Sequence, residues 1–285
     1  MPMTRAAIAA MGTDLGPDIL AQCRALFDGE QAAFAAATPA SATDIAYGPH
    51  ERHRLDIYHP QTDSLVPILL FVHGGGFLKG DKGGADAWPN ANVGRMAAQA
   101  GFLGVVINYR LAPDSVWPAG SEDVASAIAW LRTNGAQHGG DPDRIILAGT
   151  SAGAVHVAGY LRLAGNQAIS DVRAAILLSG LYGYTSLDER DTLYYGDPAL
   201  YPDRMPRDAV AATKLPILVA CAEFDPPRFQ AEFIGLMRDR LDRHGALPRA
   251  LILSGHNHYT MPMHLGTADR RLADEICAFI RDIAA

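Results

Sequence analysis

The sequence predicts an α/β fold with a mostly parallel central sheet and helices on both faces. Three observations carry that prediction. Strand-like and helix-like segments alternate along most of the 285 residues. The strand candidates are continuous apolar runs of the kind that are buried on both faces of a sheet. Glycine-rich or polar turns separate them. With 49% hydrophobic and 19% charged residues, the chain is long and apolar enough to bury one large core, and its composition does not indicate disorder.

Residues 1–42 read as an N-terminal helical lid segment ahead of the main domain, because Ile19, Leu20, Leu26 and Phe27 stand among polar residues across 17–36. The stretch TDIAYGPHERHRLDIYHP then offers two short β-like runs around a Gly-Pro turn signal, which predicts an antiparallel hairpin opening the sheet. The alternation continues through VPILLFVHG, GFLGVVINYRL, a helix around SEDVASAIAWLRTNG, RIILAGTS, a helix from Ala152 and VRAAILLSG. It ends with PILVACAEFD, a helix near FQAEFIGLMRDRLDRHG, RALILSGHN and a last helix from about Ala268 to Ile283.

Residues 181–213 break the rhythm. They hold Tyr182, Tyr184, Tyr194, Tyr195 and Tyr201 among prolines and charges, without a long apolar period, and predict a cap-like insertion over the strand ends of a 43–285 domain. Phe77, Tyr182, Tyr184, Tyr194 and Tyr195 are candidates for lining a substrate cavity. The insertion's tyrosines could equally pack it onto the body, since an apolar ring with a polar tip serves both uses.

Acidic residues outnumber basic ones by 31 to 24, giving a formal net charge of -7, and the basic residues are scattered. That pattern leaves no electrostatic footprint for nucleic acid or acidic lipid, so a small-molecule partner is expected. Cys23, Cys221 and Cys277 are far apart, odd in number and in no metal-ligand spacing, which fits free thiols packed in the core in a reducing compartment. The opening MPMTRAAIAAMGTDLG lacks a continuous apolar run, and no run elsewhere approaches a membrane span. A cytoplasmic protein is expected, in which edge strands or the final helix could support a homodimer.

The chemistry concentrates in ILAGTSAGAVH, residues 146–156. Gly149, Ser151 and Gly153 form a G-x-S-x-G pattern between a strand-like and a helix-like run, the setting of a nucleophile held on a sharp turn. A serine that merely caps the following helix would read the same way locally. FVHGGGF, residues 71–77, ends a strand in three glycines whose backbone N–H groups can face a developing oxyanion without side-chain obstruction; a tight turn is the plainer explanation. Gly75, Gly76 and Ala152 are the candidate donors, with His73 holding the loop.

A serine hydroxyl needs a base, and the base needs an orienting group. Asp225 follows one strand and precedes two prolines; His256 and His258 follow the next. Asp225 is the candidate acid, with Glu223 its rival two residues earlier. His258 is the candidate base, with His256 as a hydrogen-bonding support; as a metal pair the two histidines lack a third ligand of suitable spacing. His156, on the helix after the serine, is expected to be packed in the interior.

HGGGF at 73–77, NYRLAPDSVWPAGSEDVASAIAWL at 108–131, DPDRIILAGTSAGA at 141–154, Asp225 and His258 together resemble the hormone-sensitive-lipase group of α/β-hydrolase esterases, over most of the chain from about residue 45. The chain departs from that group in having Thr150 where an acidic residue often precedes the serine, and EFDPPRF in place of the usual acid motif. GTSAGAVH, AEFDPPRF and GHNHYT are similar to the small carboxylesterase and arylformamidase-like branch. The resemblance implies Ser151 as nucleophile, Asp225 as acid, His258 as base and no metal or organic cofactor. The expected reaction is hydrolysis of small or aromatic esters through an acyl-enzyme. Arylformamide or amide hydrolysis by the same triad, and a non-catalytic receptor on a hydrolase body, are the alternatives.

Overall fold

The computed structural model describes residues 2–84 and 87–284. Two helices come first, α1 (Pro2–Met11) and α2 (Pro17–Ala37), and Pro17 suits the first helical position because its missing N–H would have had no partner there. The antiparallel hairpin follows as β1 (Ala42–Ala46) and β2 (Arg54–Tyr58), with Ile45 opposite Leu55. Then come β3 (Val66–Val72), α3 (Ala91–Gln99), β4 (Leu103–Ile107), α4 (Ala119–Asn134), β5 (Gly140–Thr150) and α5 (Ala152–Ala164). The remaining strands are β6 (Ala174–Leu178), β7 (Ile217–Phe224) and β8 (Arg249–Asn257). Long helices at Pro227–His244 and Arg271–Ala284 follow the last two strands.

The eight strands form one sheet in the order β1-β2-β4-β3-β5-β6-β7-β8, parallel from β4 to β8 and antiparallel where β1 meets β2 and β2 meets β4. The period-two pleat divides each apolar run between two cores. Ile68, Leu70 and Val72 of β3 pack with α4 and α5 on one face, while Leu69 and Phe71 pack with α3 and the Arg271–Ala284 helix on the other. Burial on both faces accounts for apolar runs without alternation.

Helix α3 was not expected from the sequence. Its segment ANVGRMAAQ lacks a clear apolar stripe, yet all of it except Gln99 is buried. Small residues permit this close approach: a Cβ on Gly94 would lie 2.3 Å from the Tyr58 ring, and one on Gly104 of β4 would lie 2.1 Å from the Gly94 carbonyl oxygen. Arg95, also buried, donates through Nε to the Thr38 carbonyl and through Nη2 to the Gly84 carbonyl.

The N-terminal helices pack at the β8 end. Gln31 Nε2 donates to the carbonyls of Met263 and Leu265, and Arg5 pairs with Glu223 across α1 and β7. Residues 181–213 form short helical turns joined by loops. Buried Glu232 anchors their start, accepting from the N–H groups of Tyr182, Gly183, Tyr184 and Thr185 and from the Thr185 hydroxyl. All three cysteines are buried and free. No helix among the described residues is long and apolar enough to cross a membrane.

Candidate active site

Ser151 stands between the end of β5 and the start of α5, at φ 53° and ψ -123°. This left-handed conformation is costly for a residue with a Cβ and persists only where its surroundings impose it. Here they do. A Cβ on Gly149 would come 2.5 Å from the Gly153 carbonyl, and one on Gly153 would come 2.0 Å from the Val72 carbonyl oxygen. The two glycines let α5 turn back directly over β5 and β3, and Ser151 N–H donates to the Leu178 carbonyl at 2.8 Å. Its side chain makes no cap hydrogen bond to the helix.

The glycine loop leaves the end of β3 beside it. Gly75 has φ 137° and Gly76 φ 60°, and the Gly75 carbonyl accepts from Leu78 and Lys79 N–H, closing a tight turn. Among the described residues the N–H groups of Gly75 and Gly76 have no partner. Gly74 faces the serine, since a Cβ there would lie 3.2 Å from Ser151 Cβ. Ala152 N–H opens α5, at the positive end of its dipole. The loop is held from behind by His73, which stacks on Tyr109 at 4.4 Å and donates through Nδ1 to the Gly74 carbonyl. Complete burial pushes the His73 imidazole down to about 4, so it stays neutral.

Asp225 and His258 follow β7 and β8. His258 Nδ1 donates to Asp225 Oδ1 at 2.8 Å, which leaves Nε2 as the nitrogen available for a proton from elsewhere. The Asp225 carboxylate is fully buried, and Oδ2 also accepts from Ala222 N–H and the Ser179 hydroxyl. Reciprocal bonds between Asn257 and Thr260 fix the His258 turn, and His258 packs on Phe229. Glu223 faces away, bound by Arg5, Ser254 and Gly255, and does not reach His258. Ser179 was not foreseen: it lies 46 residues from Asp225, and no local pattern links the two.

Ser151, His258 and Gly74–Gly76 line one cavity of about 540 Å³ at the carboxyl ends of the parallel strands, where open α/β sheets place their sites. Among the described residues no hydrogen bond joins Ser151 Oγ to His258; such contacts commonly tighten only with substrate bound. Leu15, Leu20 and Arg24 form one wall, contributed by α2 and the turn before it, with Tyr259, Pro262 and Met263 beside His258.

None of the five aromatic candidates is among the lining residues. Phe77 stacks on Tyr194 at 4.4 Å and meets Tyr195 edge-on in a separate apolar cluster. Tyr182 is buried in the main core, and Tyr184 reaches Asp239. His156 is interior as well, packed edge-on against Phe77 and Tyr109 and driven down to about 3 by burial.

His256 sits two residues before His258, bonded to Asp269 at 3.2 Å and ring to ring with His264 at 4.0 Å. The ligand-capable atoms of these three residues lie within 4.8 Å of one another, a grouping that sequence spacing did not suggest. Asp269 is already gripped by the Arg271 guanidinium. A second cavity of about 370 Å³ opens beside them and carries both signs of charge, Arg5 and Arg271 with Glu30 and Asp269.

Residues 55–178 match the family model described as BD-FAE. The esterase LipQ of Mycobacterium tuberculosis is 30% identical over 270 residues, covering 85% of this chain and 62% of that protein. The probable carboxylic ester hydrolase LipM of the same organism is 32% identical over 206 residues, 64% of this chain and 47% of that one. The chain thus spans about half to three-fifths of the length of these relatives. Among solved structures, a hyperthermophilic esterase from Pyrobaculum calidifontis superposes with a TM-score of 0.72 at 24% identity, over 100% of this chain and 98% of that one. The esterase LipW from Mycobacterium marinum gives 0.74 at 22% identity, over 100% and 96% of the two chains.

Proposed function

We propose, from the premise that the chain belongs to the α/β-hydrolase superfamily, that it hydrolyses carboxylic esters through an acyl-enzyme on Ser151. The observation that carries this reading is that Ser151 lines one cavity with His258, whose Nδ1 is held by buried Asp225, and with a loop whose glycine N–H groups have no partner among the described residues. The names of its relatives, esterase and carboxylic ester hydrolase, support it.

In this mechanism His258 Nε2 takes the Ser151 proton as the hydroxyl attacks the ester carbonyl. Asp225 holds the ring in the required tautomer and stabilises the imidazolium. Gly75, Gly76 and Ala152 N–H groups receive the oxyanion; one such donor typically contributes roughly 3 to 4 kcal/mol. His258 then protonates the leaving alcohol, and water repeats the sequence to free the acid. The cavity's volume and its apolar walls at Leu20, Leu78 and Met263 fit small or aromatic esters.

The test is initial hydrolysis of para-nitrophenyl acetate by the wild type and by Ser151→Ala, with an aryl formamide and an emulsified long-chain lipid alongside. Loss of turnover in a folded mutant is the expected result. Faster formamide cleavage would move the assignment to amide chemistry, and equal turnover of the emulsified lipid would remove the size preference. If the wild type turned over none of them, the catalytic reading would fall.

A further inference from the structure

Among the described residues, the charged ones that line the Ser151 cavity are Arg24, Lys79 and Arg190, with no Asp or Glu beside them. In a chain with 31 acidic and 24 basic residues, an all-cationic cavity runs against the overall balance. The neighbouring 370 Å³ cavity of the same protein carries both signs. The three cations come from α2, the glycine loop and the insertion, so their convergence is a property of the fold and not of a local basic run.

Their charges are also available. Arg190 has its nearest carboxylate, Asp191, at 3.9 Å, and Asp191 is already held by Arg228 at 2.7 Å. Arg24 and Lys79 make no ion pair among the described residues. Arg190 lies against the loop proposed to carry the oxyanion donors: its guanidinium carbon is 3.5 Å from where a Cβ on Gly76 would stand. A cleft lined by one sign of charge concentrates field and draws the opposite charge into it. A planar guanidinium with unused donors matches a carboxylate fork.

We infer that the ester taken by this site carries a carboxylate, seated against Arg190 with Lys79 and Arg24 supporting the field. The inference rests on the ester-hydrolase reading above and goes beyond it in naming the substrate's charge.

Matched substrates test it. On the alcohol side, meta-acetoxybenzoate is compared with meta-acetoxybenzamide; on the acyl side, the mono-para-nitrophenyl ester of adipic acid is compared with para-nitrophenyl hexanoate. The expected result is a kcat/KM favouring the anion by about tenfold or more in at least one pair, as a charge-assisted contact implies. That ratio should fall with added salt and fall toward one in Arg190→Gln and in Arg190→Gln combined with Lys79→Met and Arg24→Gln. Thermal unfolding shows whether each variant is folded. Neutral substrates equal to or better than the anions in both pairs would overturn the inference while leaving ester hydrolysis standing. A preference unmoved by the triple variant would overturn it too. Absence of Ser151-dependent turnover with all four substrates would instead strike the ester-hydrolase reading.

Discussion

Replacing Gly75 and Gly76 separately by alanine tests the oxyanion assignment, because the structure assigns these adjacent glycines very different consequences. A Cβ on Gly75 would stand 1.7 Å from the Lys79 carbonyl oxygen, and the two must part by about 1.7 Å to reach an ordinary 3.4 Å contact. That oxygen is backbone in a turn closed by the Lys79 and Leu78 N–H groups, so relief comes only by moving the loop. Misplacement of a catalytic group by about 1 Å can cost a hundredfold in rate, and loss of one donor costs about 10²–10³ in kcat. Gly75→Ala should therefore lose at least about a hundredfold in kcat, with kcat/KM falling in parallel. At Gly76 the added methyl meets only the Arg190 guanidinium, at 3.5 Å, which leaves the cost of φ 60°. That is about 1–2 kcal/mol, worth at most about thirtyfold if all of it reached the transition state. The assay is steady-state hydrolysis of para-nitrophenyl acetate, with circular dichroism to confirm folding. A Gly75→Ala enzyme within tenfold of wild type would refute the assignment of the oxyanion donors to this turn, and a Gly76→Ala enzyme equally damaged would refute the difference drawn between the two glycines.

Acid should weaken the fold through histidines that are buried and neutral. His73 is held at about 4, and His156 and His264 at about 3, against an ordinary value of 6.5. Folded values below the unfolded one mean that the unfolded chain takes up protons the native state refuses. Their stabilisation is therefore complete above about pH 6.5 and is lost as the pH falls toward 4 and 3, on the order of 3 kcal/mol for His73 alone. Urea midpoints at pH 7.5 and pH 5 measure this, and equal midpoints would contradict it. Glu232→Ala should leave the buried Tyr182 N–H and the partly buried donors of residues 183–185 without their shared acceptor, costing about 3 kcal/mol. At roughly 2 to 4 °C per kcal/mol, thermal unfolding should shift down by about 6 °C or more, and an unchanged midpoint would show that Glu232 does not anchor the insertion.

The sheet was legible because strands buried on both faces leave long apolar runs, and those from VPILLFV to RALIL appear as β3 to β8. The turns that present the candidate site were legible because glycine at 149, 153 and 75 answers a backbone demand that sequence displays directly. Helix α3 escaped because its close packing relies on small residues and a buried arginine instead of an apolar stripe. The tyrosines remained ambiguous because an amphipathic ring carries no mark of which side it will face; in the fold Tyr194 and Tyr195 support Phe77 behind the cavity. Ser179, Arg24, Lys79 and Arg190 gave no sequence signal, since an isolated polar or basic residue acquires its meaning from what the topology brings beside it.

The wall that α2 gives the cavity separates two inheritances within one chain. The proposed reacting atoms sit on turns at the strand ends, whereas Leu20 and Arg24 lie on a helix outside the sheet, docked through Gln31 and lying against the turn beyond His258. Selection can rework this helix without touching the reaction. On the proposed reading, an exchange of α2 between related proteins would change the cavity wall and leave the Ser151, His258 and Asp225 turns where they were.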